Sequence, residues 1–255
     1  MSSWSFRRQA TYLTAILIFF GLIFASVYLV FFRKAPSCFD NIQNQGELGI
    51  DCGGPCSKVC SIEVSPLIKD WARLFKTGDG RYDVAALIEN PNFNLGLKKL
   101  DYTFKLYDGE NLFITEKSGS VFVNARDKFA IFESNLDTGK RIPIKTIIEF
   151  NPNLVWSRVD PEASKLPITV QNPILTEGTM PHLSAELVNN SVFDLSNILT
   201  TAVIYDDDDN AIASSQTFTN YIPKSRSSDI VFTWPITFTA QHPTFEIFPR
   251  VNLVK

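Results

Sequence analysis

Residues 12–32 form a run of 21 positions without a charge, in which only Thr14, Gly21 and Ser26 interrupt aliphatic and aromatic side chains. At about 1.5 Å per residue a helix of that length reaches roughly 31 Å, the thickness of a bilayer's hydrocarbon core, so the pattern predicts a transmembrane helix. A helix buried in a soluble core would carry a polar stripe, and this run has none. A cleaved signal peptide is the other reading. Its apolar region is ordinarily ~7–15 residues, however, and no small-x-small cleavage site follows, so the run reads as an uncleaved signal-anchor behind a cytoplasmic tail of residues 1–11.

Further along, the period changes. Residues 101–107 alternate, with Tyr102, Phe104 and Leu106 on one face, as a half-buried strand does. Residues 109–111 then turn the chain and 112–114 resume it. Segments 83–90, 128–133 and 145–150 read as further strands, and Thr77-Gly-Asp-Gly80 is a hairpin signal between the strands holding Trp71 and Tyr82. No amphipathic helix separates these runs, which excludes an α/β alternation.

The same order of landmarks returns about a hundred residues later. Asn90, Tyr107-Asp108 and Phe132 find counterparts in Asn189, Tyr205-Asp206 and Phe232. The pattern predicts an all-β ectodomain of two tandem antiparallel β-sandwiches, residues 61–152 and 164–255, joined by a proline-bearing stretch. In each copy the Asn is expected to bond backbone where a strand ends, the Tyr to pack with its hydroxyl at the rim, and the Asp to open the next turn.

Charge and cysteine usage set the compartment. The 255 residues carry 24 basic and 27 acidic side chains; of the net −3, residues 1–32 contribute +2, leaving −5 beyond them. That balance gives no basic face for nucleic acid. Arg7 and Arg8 before the apolar run and Arg33 and Lys34 after it tie the positive-inside count. The cysteines break the tie. Cys38, Cys52, Cys56 and Cys60 all fall just beyond the helix, in a segment (residues 38–60) too short to bury a core, and paired thiols of that kind belong to an oxidising, extracytoplasmic compartment. Two disulfides are expected, in any of three pairings. Zinc is the competing reading of a C-x3-C-x3-C run, but the segment lacks a C-x-x-C knuckle and the compartment is wrong for it.

Residues 38–60 resemble a motif that recurs in secreted and surface proteins, C-x-D-G-x-x-N-x-x-E-x-x-x-D-C-G-G-x-C. Asp40, Asn44, Glu47, Asp51, Cys52, Gly53, Gly54 and Cys56 match it, and Asn41 stands at its usual Gly. Asn tolerates positive φ nearly as well, so that departure is mild. The resemblance implies an extracellular, disulfide-held element beside the membrane. Asp40, Asn44, Glu47 and Asp51 could together offer oxygens to calcium; the plainer reading has them cap turns through backbone hydrogen bonds.

Phe104-Lys-Leu-Tyr-Asp108, after Ile88-Glu-Asn-Pro-Asn92, resembles the FxLYD domain and the related water-stress group of late-embryogenesis-abundant sandwiches. That resemblance implies an immunoglobulin- or fibronectin-like fold on an envelope protein, with no reaction attached. In the second copy Ala202-Val-Ile-Tyr-Asp206 keeps only the Tyr-Asp core.

Candidate chemistry is sparse. His182 and His242 have no nucleophile or carboxylate placed by a known motif, and the chain carries no G-x-S-x-G, Walker, H-E-x-x-H or Rossmann pattern. No catalytic residue is assigned. The run Asp206-Asp-Asp-Asp209 reads as a solvated hairpin turn, with a weak divalent-cation site as the other possibility. Asn189-Asn-Ser191 satisfies a glycosylation sequon. The expected function is that of a single-pass envelope protein, cytoplasmic at its N-terminus, whose sandwiches serve as a non-catalytic spacer or as an interaction module for an envelope protein or glycan. The alternative is a structural accessory subunit that assembles through its helix, where Gly21 and Ala25 would let a second helix approach.

Overall fold

The computed structural model describes residues 3–31, 36–162 and 165–254. It divides into two compact units, Met1–Cys56 and Ser57–Lys255.

In the first unit, helix α1 spans Ser3–Phe31, and its membrane-length part, Phe6–Leu29, has a mean hydropathy of 2.2. The helix starts well before the predicted span because nothing between Ser3 and Tyr12 breaks it: no Pro or Gly intervenes, and Arg8 stacks over Trp4 one turn back. Phe32, the last residue of the predicted span, lies outside the described residues. Thr11, Thr14 and Ser26 donate their hydroxyls to carbonyls four residues back, which removes free polar groups from an apolar surface.

The second unit is built from antiparallel sheets. After a 3-10 turn at Ser61–Glu63 come β1 (Ile68–Gly78), β2 (Arg81–Glu89), β3 (Leu95–Tyr107), β4 (Phe113–Val123), β5 (Lys128–Asp137), β6 (Lys145–Phe150) and β7 (Trp156–Arg158). There follow β8 (Ile168–Thr176), β9 (His182–Asn189), β10 (Leu195–Tyr205), β11 (Ala211–Ile222), β12 (Ser227–Thr233) and β13 (Thr244–Arg250). The first sandwich faces sheet β1-β2-β5 against β4-β3-β6, with β7 also on β3; the second faces β8-β9-β12 against β11-β10-β13. The strand order is the same in both. The stretch read as a linker is in part β7, a piece of the first sandwich.

Each sandwich closes on its own core. Val84, Ala86, Ile88, Leu97, Phe104, Leu106, Phe129 and Ile131 fill the first; Leu183, Leu187, Ile198, Ala202, Ile204, Ile230 and Phe232 fill the second. A third apolar layer joins them. Trp71, Phe75, Ala85, Leu87, Ala130 and Phe132 on the outer face of β1-β2-β5 meet Val203, Tyr205, Ala211 and Phe248 on the outer face of β11-β10-β13. The unit is therefore a stack of four sheets, with β2 and β10 buried on both sides. That double burial explains their apolar runs, Val84-Ala-Ala-Leu-Ile88 and Ala202-Val-Ile204. The sheets that face outward show the contrasting pattern: β9 reads Leu183-Ser-Ala-Glu-Leu187, its odd positions buried and its even positions half-exposed.

One counterpart fails. The Asn90 amide donates to Asp127 O and the Asn189 amide to Arg226 O, which aligns Asp127 with Arg226 and so Phe132 with Val231. Phe232 instead matches Glu133. A slip of one residue exchanges the faces of a strand, so Phe132 packs at the seam between sandwiches whereas Phe232 sits in a core. Tyr205 also departs from expectation: it is buried at the seam, edge-on to Trp71 at 6.4 Å, and its hydroxyl donates to Glu246 at 2.8 Å. Tyr107 stays half-buried and packs edge-on against Phe113.

The two asparagines do hold strand ends. Asn90 Nδ2 donates to the Leu95 and Asn124 carbonyls at 2.8 and 2.7 Å, and Asn189 Nδ2 to those of Phe193, Ile222 and Pro223. Both residues are fully buried. Removing either amide strands buried carbonyls at about 1–3 kcal/mol each, so Asn90→Ala and Asn189→Ala should each lower stability by roughly 2–4 kcal/mol in urea unfolding. Asn190→Ala, at an exposed neighbour, should change it by no more than about 0.5 kcal/mol.

Candidate functional site

The first unit brings most of its predicted residues together. Cys38 is disulfide-bonded to Cys56, Cys52 and Cys60 are also oxidised, and no cysteine is free among the described residues. Asp51 accepts the backbone N–H groups of Asp40 and Asn41; Asp40 accepts Ile42 N–H and the Asn44 side-chain amide. Glu47, buried, accepts Asn44 N–H at 3.4 Å and Asp51 N–H at 3.2 Å. The three carboxylates are thus spent on turn amides, the arrangement expected of caps, while Asn44 joins them as a donor and keeps its Oδ1 buried without a hydrogen bond among the described residues. The Asn44 amide and the Ser37 N–H hold the Asp40 carboxyl below its usual range. Asn41 takes φ 59°, in the left-handed region that Asn tolerates. Gly54 has to be Gly: at φ +55° a Cβ would collide with the carbonyl oxygen of Gly46.

In the second unit the two Tyr-Asp pairs open matching turns. Asp108 accepts the N–H groups of Glu110 and Leu112, and Asp206 those of Asp208 and Asn210. Arg141 pairs with Asp108, and that guanidinium pulls the carboxyl below its ordinary value. In the acidic run, Asp207 accepts Gln241 N–H and meets His242 Nδ1 at 3.1 Å, contacts that lower its pKa, while Asp208 and Asp209 face solvent. His182 lies on the outward row of β9 between Thr176 and Thr233. The sequon is sterically spent: Asn189 Nδ2, where a glycan would attach, already donates to three carbonyls.

One apolar concavity was not foreseen. A groove of about 710 Å³ lies between residues 57–66 and 152–157, walled by Val59, Val64, Pro66, Leu154, Val155 and Trp156, with Lys58 at its rim. Leu154 and Trp156 also pack on the first core, so the groove floor is continuous with it. The Arg158–Glu63 ion pair, at 2.7 Å, ties the two walls together. A smaller depression of about 210 Å³ shares Val155 and Ser157 and adds Lys98, Lys99 and Asp101. Lys99 pairs with Asp101, whereas Lys58 and Lys98 have no ion-pair partner among the described residues. Nothing in Asn151-Pro-Asn-Leu-Val-Trp156 advertised this; its two asparagines and proline read as a connector.

No family model matches the chain, and no curated protein sequence matches it. Among solved structures, the crystal structure of red sea bream transglutaminase aligns with 75% of this chain and 30% of that one, at 11% identity and a TM-score of 0.28. The N-terminal apolar helix and the disulfides are compatible with a membrane-anchored extracellular protein.

Proposed function

We propose that the chain is a single-pass envelope protein whose β-unit stands outside the cytoplasm as a non-catalytic module that binds another protein. The observation that carries this reading is the pairing of a 24-residue apolar helix segment, none of it buried, with four oxidised cysteines a few residues later. The recurrence of one strand order in both sandwiches, and the resemblance of their Tyr-Asp turns to FxLYD domains, support a binding scaffold in place of an enzyme. The groove beside Trp156 is the concave, apolar surface that such a scaffold would use.

The test is topology first, then capture. Cysteines placed singly at exposed Lys98 and Asp208 should react on intact cells with a membrane-impermeant maleimide, and one placed at Ser2 should not. In-cell photo-cross-linking from Val155 should then yield one dominant adduct. Labelling at Ser2 alone, or adducts no different from those formed at exposed Gln171 on the far sandwich, would overturn the reading.

A further inference from the structure

β6 is an edge strand of the first sandwich. On the side of β3 away from β4, β6 pairs with its C-terminal half and β7 with Leu95–Leu97, and neither pairs with another strand beyond it. Asn151 N–H donates to Asp101 O, which makes Glu149, Ile147 and Lys145 the hydrogen-bonded partners of β3. The amides of Thr146, Ile148 and Phe150 therefore point away from β3, and β6 pairs with no other strand among the described residues. Their side chains point the other way round the pleat, toward the core, where Thr146 Oγ1 is buried without a partner. This edge runs roughly 20 Å and leads into the groove walled by Val64, Pro66, Leu154 and Trp156.

We propose that the β6 edge and this groove accept an extended segment of a partner protein as an added strand, apolar at alternate positions and acidic between them. Main-chain bonds to Thr146, Ile148 and Phe150 supply the pairing. Alternate apolar side chains enter the groove toward Leu154 and Trp156. The acidic positions follow from Lys58 on the groove and Lys98 in the adjoining depression, neither of which is in an ion pair among the described residues. The proposal rests on the module being an extracytoplasmic protein binder, and it names the partner's chemistry.

The test uses the full chain in phosphatidylcholine nanodiscs and a fluorescein-labelled nine-residue peptide in which valine alternates with aspartate and threonine. Anisotropy should saturate with this peptide, and a version with lysine for aspartate should bind at least tenfold more weakly. Thr146→Pro deletes an outward N–H while keeping the ladder to β3, and it should weaken binding at least tenfold with little change in melting temperature. Lys58→Glu with Lys98→Glu, which leaves the edge intact, should invert the preference between the two peptides. Equal binding of both peptides, or affinity indifferent to both variants, overturns the proposal. So does a self-dimer dispersed by Thr146→Pro, since a second copy would then fill the edge. Failure here with a Val155 cross-link still formed on cells would remove this inference alone; failure of the cell-surface labelling would remove the binder reading itself.

Discussion

Replacing Val203 by lysine should break the joint between the sandwiches, lowering stability by about 3–5 kcal/mol and splitting one urea-unfolding transition into two. Val203 is fully buried among Leu87, Ala130 and Phe132, and a charge without a partner there is of the kind that costs that much. The comparison that sharpens the test lies within the same chain. Counting back from the matching Tyr-Asp turns, Val203 occupies the position that Lys105 holds in the first sandwich. Lys105 pairs with Glu149 on an outward face, so Lys105→Val should change stability by under about 1 kcal/mol. One transition persisting in the Val203→Lys protein would mean that the third apolar layer does not couple the sandwiches.

Arg250→Ala should be about as damaging. Its side chain is 2% exposed, with the guanidinium sandwiched between Phe122 and Phe129 at 4.3 and 3.8 Å from their ring centres. Nε and Nη2 donate to Asp127 Oδ2 at 3.3 and 3.0 Å, and Nη2 also to the Phe122 carbonyl. Burial pushes the pKa of this group down against the pull of Asp127, and Nη1 has no hydrogen-bond partner among the described residues, so the pair carries a desolvation cost. Removing the cation alone leaves Asp127 unpaired, an expected loss of about 3–5 kcal/mol, or roughly 6–20 °C in melting temperature at this size. Arg250→Met combined with Asp127→Asn should recover more than half of it, because no uncompensated charge remains. If the double variant is no more stable than Arg250→Ala, the packing of the side chain between the two rings, and not its charge, is what matters.

Much of this architecture could be read from letters, for stated reasons. Alternation put Tyr102, Phe104 and Leu106 on one face because a strand with one wet side must alternate, and all three are buried. Asn90, Asn189, Asp108 and Asp206 were recognisable because turn chemistry is local. What escaped was set by distant contacts. The pairing of Phe132 with Phe232 failed since spacing alone cannot report a one-residue change in loop length, which the pleat converts into a change of face. The stacking of sandwiches had a signal, the unbroken run at residues 84–88 beside the alternating one at 183–187, but a run buried on both sides names no partner. Arg250, at the end of β13, carried no local signal, for its counter-ion lies 123 positions away. The groove escaped for the same reason: its walls, residues 57–66 and 152–157, are nearly ninety residues apart.

The Arg250–Asp127 contact also bears on biogenesis. At about 5–20 residues per second, ribosomes need roughly 6–25 s to make the 123 residues between those two positions. Throughout that interval a newly made first sandwich presents Leu87, Ala130 and Phe132 to its surroundings without the completed sheet that covers them. That apolar face is therefore where incomplete chains would stick to one another before their second sandwich is made.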